Sequence, residues 1–192
     1  MMLMNFNDLG SYRSARVWLD ELPFAPYPVK ERIERAFPLI NYTCKKHSIL
    51  TVELVLAARM ISNYACIGIS YFPSDAGELV VQAGIGCNDD EIIEDVIALQ
   101  PEVVRRGIPQ EYIAAMLDEI HMLSKDPSYL LPSGTIAIHT GAHGEVGSSP
   151  VSFRQTMRVL LRLLTLDNKT YKLVQETIAD ELGRVSQRRR GT

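Results

Sequence analysis

The chain has 192 residues, 46% of them hydrophobic and 22% charged, with a formal net charge of −3. That length can bury a core and that composition belongs to a folded domain, so disorder is excluded. Dedicated nucleic-acid binders are usually basic, so any RNA contact here would have to be local. No apolar run is long enough for a membrane span. Met1–Gly10 has no basic start followed by an apolar core, and so does not read as a signal peptide. Cys44, Cys66 and Cys87 are scattered, with no Cys-x-x-Cys spacing. They point to buried thiols in a reducing compartment rather than to a disulfide frame or a zinc site. A cytoplasmic location is therefore expected, with no metal and no cofactor.

Residues 1–27 lack a clear period and are punctuated by Pro23 and Pro26, which predicts a loop-rich arm. Pro28 to Phe37 predicts a short helix, because Ile33 and Phe37 share a face and Pro38 stops the run. Leu50–Met60 and Tyr64–Phe72 are aliphatic and β-branched and predict a hairpin turning at Ser62-Asn63. A turn over Pro73–Gly77 leads to a third strand, Glu78–Ile85. Asn88 with Asp89, Asp90 and Glu91 predicts a capped acidic helix to about Gln100, burying Ile92, Ile93, Val96 and Ile97. Capping chemistry explains those acids better than a calcium loop, which needs alternating ligands and a turn glycine.

Pro109 opens a further helix whose buried face is Ile113, Met116, Leu117 and Ile120, closed by Asp126-Pro127. Thr135–His139 predicts a strand. Ser149-Pro150 caps a helix to about Leu166 with Phe153, Met157, Leu160, Leu161 and Leu164 inward. A last helix covers Lys169–Gln187, with Val174, Ile178, Leu182 and Val185 on one side, ahead of the basic tail Arg188–Arg190. Strands and helices mix without a regular β-α-β rhythm. The expected class is α+β: a two-layer sandwich of a mainly antiparallel sheet with helices on one face.

Two segments carry a family resemblance. Ile108-Pro109-Gln110-Glu111-Tyr112 resembles the elongation factor G segment in which Ile-Pro-Lys-Glu-Tyr opens a domain IV helix. Further on, that family has a strand, a tight loop reading His-Glu-Val-Asp-Ser-Ser, and a helix with an early phenylalanine. Here the strand is Thr135–Ile138, the loop is Gly144-Glu145-Val146-Gly147-Ser148-Ser149, and the phenylalanine is Phe153. Cys66–Pro73 followed by Gly77 is similar to the family's central strand and turn. The resemblance covers roughly residues 50–166. It implies a division into an N-terminal arm with a short helix (1–49), a domain IV-like unit (50–166), and a C-terminal helix with its tail (167–192).

The departures bear on function. The family histidine falls on Gly144 and its aspartate on Gly147, with His143 one position away. Ala58–Asn63 replaces a Gly- and Arg-rich second tip loop, and the acidic segment from Asn88 is an insertion. No Gly-x-x-x-x-Gly-Lys-Ser/Thr occurs, so GTP hydrolysis through a P-loop is not expected.

The candidate binding residues are His143, Gly144, Glu145, Ser148 and Ser149 of the loop, and Arg154, Arg158 and Arg162. The three arginines repeat every four residues and form one basic stripe, able to face phosphates or to lie as an ordinary helix surface. The loop also resembles the phosphate-binding loop of GHMP-type small-molecule kinases, and glycines with hydroxyls at a helix start suit an anion. A serine–histidine–acid site among His139, His143, Glu145 and the serines is conceivable, but such sites are defined by geometry. The expectation is a non-catalytic binding protein contacting ribosome, RNA or a protein. The alternatives are a small enzyme holding an anionic, phosphorylated substrate at Gly144–Ser149, or an oligomer formed through the C-terminal helices.

Overall fold

The computed structural model describes residues 2–10, 12–56, 63–88 and 90–188, with side chains to residue 183. Its elements are β1 (Met2–Phe6), β2 (Arg13–Leu19), β3 (Glu31–Pro38), β4 (Tyr42–Thr43), β5 (Ser48–Leu56), β6 (Tyr64–Pro73), β7 (Glu78–Ile85), β8 (Val104–Arg106), α1 (Gln110–Ser124), β9 (Leu131–Pro132), β10 (Gly134–Gly144), α2 (Pro150–Leu164) and α3 (Tyr171–Arg188). The main sheet has eight strands, seven of them in the order β1-β2-β5-β6-β10-β7-β3, with β8 on β10. All neighbours are antiparallel except β7 and β10, which run parallel with α1 in the crossover between them.

Alternation along the strands sends Val17, Leu50, Val52, Ile67, Ile69, Val81 and Ile136 to one face. The apolar sides of α1, α2 and α3, with Ile113, Leu160 and Ile178 among them, complete that core. The expected α+β class and mainly antiparallel sheet are therefore present. The strands Tyr64–Phe72 and Glu78–Ile85 and the three long helices fall where the periodicity puts them, within a few residues at their ends, as does Leu50–Leu56 of the first strand, whose expected end to Met60 lies outside the described residues. The Ser62 position of the hairpin turn lies outside the described residues.

Three expectations are corrected. Pro28–Phe37 is no helix; Glu31–Pro38 is an edge strand, antiparallel to β7. Ile33 and Phe37 are four apart, a spacing that shares a face in a strand as well as in a helix. The supposed arm supplies β1 and β2, which extend the sheet beyond β5, with Ala15, Val17 and Leu19 alternating into the core. The stretch expected as an acidic helix from Asn88 to Gln100 has no helical turn among its described residues.

Instead, residues 90–103 form an irregular strap across the sheet face opposite the helices. Ile93, Val96 and Ile97 pack there with Phe24 on Val55, Tyr64, Cys66 and Ala142. Ile92, expected inside, is 52% exposed and bridges Arg105 through its backbone. Tertiary ties outweigh helix propensity in this segment. Glu53 accepts the Ile97 N–H at 3.0 Å, and Arg16 holds Asp95 at 2.8 Å.

Candidate functional site at the Gly144–Ser149 end of the sheet

β10 runs to Gly144, beyond the five-residue strand expected, because β8 pairs antiparallel with its end (Ala142↔Arg106, Gly144↔Val104). His143 and Gly144 are therefore strand residues rather than loop residues. The turn proper is Glu145–Gly147, and Ser149 caps α2 with a full capping box: its hydroxyl accepts the Ser152 N–H, and the Ser152 hydroxyl accepts the Ser149 N–H.

Gly144, Glu145, Val146 and Ser148 are each engaged within the protein. Ser148 accepts the Gly144 N–H at 2.8 Å and donates to the Tyr64 carbonyl at 2.6 Å. That bond ties the loop to the start of β6, next to the β5–β6 connection. Glu145 is ion-paired with Arg105, and its N–H donates to Val103. The Val146 N–H donates to Glu102 Oε1 at 2.9 Å. His143 is buried, with Nδ1 2.9 Å from the Gly107 carbonyl, so Nδ1 carries the proton there. Tyr112 packs beside it and stacks on Phe153 at 4.5 Å between ring centres; burial pushes its hydroxyl up to about 12.

No hydrogen bond among the described residues joins a loop serine to His139 or His143. The serine–histidine–acid arrangement is not assembled. The N–H groups of Gly144, Glu145, Val146 and Ser149 already have acceptors within the protein, and the carboxylates of Glu102 and Glu145 border the loop. At Gly144, where the resemblance places a histidine, a Cβ would lie 2.5 Å from Glu102 Oε1, so a side chain there requires Glu102 to move.

The basic stripe is not a free helix surface. Arg158 pairs with Glu119 of α1 and lies 3.6 Å from Glu181 of α3, whose side chain is only 3% exposed. Arg162 lies 3.9 Å from the same carboxylate and over the Tyr129 ring, and Arg154 donates to the Ala115 carbonyl. The stripe thus cements α2 between α1 and α3, where the sequence offered phosphate contacts or an ordinary helix surface. The insertion's acids pair elsewhere, Asp95 with Arg16 and Asp90 with Arg106. The apolar stripes of α2 and α3 that suggested an oligomer are buried in the core at Leu160, Leu161, Val174 and Ile178.

Sequence reading missed Glu53, Tyr64 and Cys66. Glu53 is 2% exposed on the strap-covered face, accepts the Tyr64 hydroxyl at 2.9 Å, and lies 3.6 Å from Arg16. Burial raises the Glu53 carboxyl above its ordinary range, against the opposing pull of its hydrogen bond from Ile97 and the charge of Arg16. Burial also pushes the Tyr64 hydroxyl and Cys66 thiol well up. A glutamate inside an otherwise apolar strand was the available signal.

No family model matches the chain, and neither a curated protein nor a solved structure does. The surface of this end is nevertheless distinctive. Val146 is 83% exposed at the loop tip, and Ile92, Leu99 and Val103 of the strap are 52%, 44% and 36% exposed.

Proposed function

We propose that the chain is a non-catalytic binding protein related to domain IV of elongation factor G, and that it grips a protein partner with the end formed by the Glu145–Ser149 loop and the strap. The kinship is supported by the sequence of parts: a hairpin, a third strand, a helix opened by Pro109, a strand, a tight glycine loop and a helix capped by Ser149. The single observation that carries the binding role is Val146, an aliphatic side chain 83% exposed while its own N–H is held by Glu102 and the neighbouring Gly144 N–H by Ser148. Exposed apolar residues grouped on a rigid frame mark contact surfaces. Glu102 and Glu145 beside it oppose a phosphate backbone, so a protein fits this end better than RNA.

A photo-crosslinking amino acid at position 146, with the exposed Met122 of α1 as the control position, tests this in cells. The expected result is one discrete protein adduct from position 146, lost when Ile92 is changed to Glu, and no such adduct from position 122. Adducts to RNA, or none at 146, would overturn the proposal.

A further inference from the structure

A separate cleft opens on the strap side of the sheet, at the β10-β7-β3 end that the strap does not reach. Its origin is topological. β10 gives one edge to β6, while β7 and β8 share the other, β7 along Gly134–Ala137 and β8 along Ala142–Gly144. Between those stretches the register with β6 slips, Ile138 facing Ile69 and Thr140 facing Gly68, so His139 is an extra residue in a β-bulge. Bulges re-aim a side chain, and here the extra residue lines a cleft of about 380 Å³. That volume accommodates a small metabolite.

The lining is divided in character. Arg32 and Glu34 alternate onto one face of the edge strand β3, about 7 Å apart along the chain. Arg32 has no ion pair among the described residues, and neither ring nitrogen of His139 has a hydrogen-bond partner there. Gln82 donates to Glu34 Oε2 at 2.8 Å, which fixes that end as an acceptor pair: the amide carbonyl and the second carboxylate oxygen remain open. Val29 and Ala137 supply apolar surface between. The wall is held in place, since the Tyr27 hydroxyl donates to the Gly84 carbonyl at 2.7 Å and Val29 fills the space above Gly84.

We infer that this cleft binds a small carboxylate that also carries an amine or hydroxyl donor, a ligand of the amino-acid or hydroxy-acid class. Its carboxylate lies on Arg32 and His139, and its donor on Glu34 and Gln82. Guanidinium and imidazole N–H groups are the donors a carboxylate needs, and carboxylate with amide oxygen is the acceptor set an ammonium or hydroxyl needs. The site is independent of the partner surface around Val146, so either can fail without the other.

Calorimetric titration of the whole chain with the individual amino acids, lactate, malate, acetate and inorganic phosphate tests the inference, with the His139 ring resonances as the reporter of place. The expected result is saturable one-to-one binding of an amino or hydroxy acid that shifts the His139 signals. Acetate and phosphate bind at least tenfold more weakly. Arg32→Ala, a change on an exposed edge strand that leaves the fold intact, weakens binding tenfold or more, and Gln82→Ala weakens the preference over acetate. Failure of every amino and hydroxy acid to bind, phosphate binding as tightly as the best of them, or binding unaltered by Arg32→Ala would each overturn it.

Discussion

Replacing Arg158 with Met separates a solvated basic stripe from an internal clamp. The guanidinium stands between two carboxylates, Glu119 and Glu181, whose side chains are 11% and 3% exposed, while its own is 13% exposed. Removing one partner of a buried ion pair leaves the other charges desolvated without compensation, a cost of about 3–5 kcal/mol. Arg162 remains 3.9 Å from Glu181 and holds part of that charge, which places the expected loss at the lower end, about 3 kcal/mol. For a domain of this size that is a fall in Tm of roughly 6–12 °C. The exposed pair Lys172–Glu176 serves as the control, with side chains 85% and 57% exposed. Breaking it by Lys172→Met should cost well under about 1 kcal/mol and depend on salt. Denaturant unfolding of both variants at low and high salt gives the comparison. An Arg158→Met loss below about 1 kcal/mol, as salt-sensitive as the control, would refute the clamp and restore the stripe as a surface for phosphates.

Two further substitutions probe the strap side. Glu53 holds its proton more tightly folded than unfolded, so its charged form lowers stability at neutral pH, and that loss is relieved as pH falls through the raised value toward the ordinary 4.5. Glu53→Gln, which keeps an acceptor for Ile97 and Tyr64, removes that titration, so its stability relative to the parent should fall as the pH drops toward 4.5 in chemical denaturation; a relative stability that rises on acidification would contradict the assignment. Thr140 carries a buried hydroxyl with no hydrogen-bond partner among the described residues, so the near-isosteric Thr140→Val should gain about 1 kcal/mol in the same assay, and a comparable loss would mean that the hydroxyl is satisfied.

The parts of the fold legible in the sequence are those where one local period decides. β7 keeps the bounds its alternation gave, and α2 begins where Ser149-Pro150 says it must. β3 was misread because two apolar residues four apart satisfy both periods, and only pairing with β7 resolves them. The strap was misread for a different reason. Its acids and aliphatics do spell an amphipathic helix, but Glu53 and Arg16 lie far away in sequence, and their bonds, with that of the nearer Arg106 to Asp90, fix an extended path. The candidate site divides in the same way. Capping at Ser149 is local and was visible, while the Tyr64 carbonyl and Glu102 carboxylate that occupy the loop's donors were not. Glu181 left a trace: it falls seven residues after Val174, on the apolar stripe with Ile178, where a carboxylate needs a buried partner.

The strap and the Glu145–Ser149 loop are physically joined. Glu102 ends the strap, takes the Val146 N–H, and occupies the space that a side chain at residue 144 would need. A side chain at 144 requires the Glu102 carboxylate to move, which exchanges its bond to the exposed Val146 N–H for water. The strap that covers the second sheet face thus sets the space left at residue 144. The cover itself requires the rest: Glu53 to receive Ile97, Arg16 to hold Asp95, and Arg105 to hold Glu145. Gly144→His tests that joint directly. It would displace Glu102 and disturb the surface around Val146 on which the proposed partner contact depends.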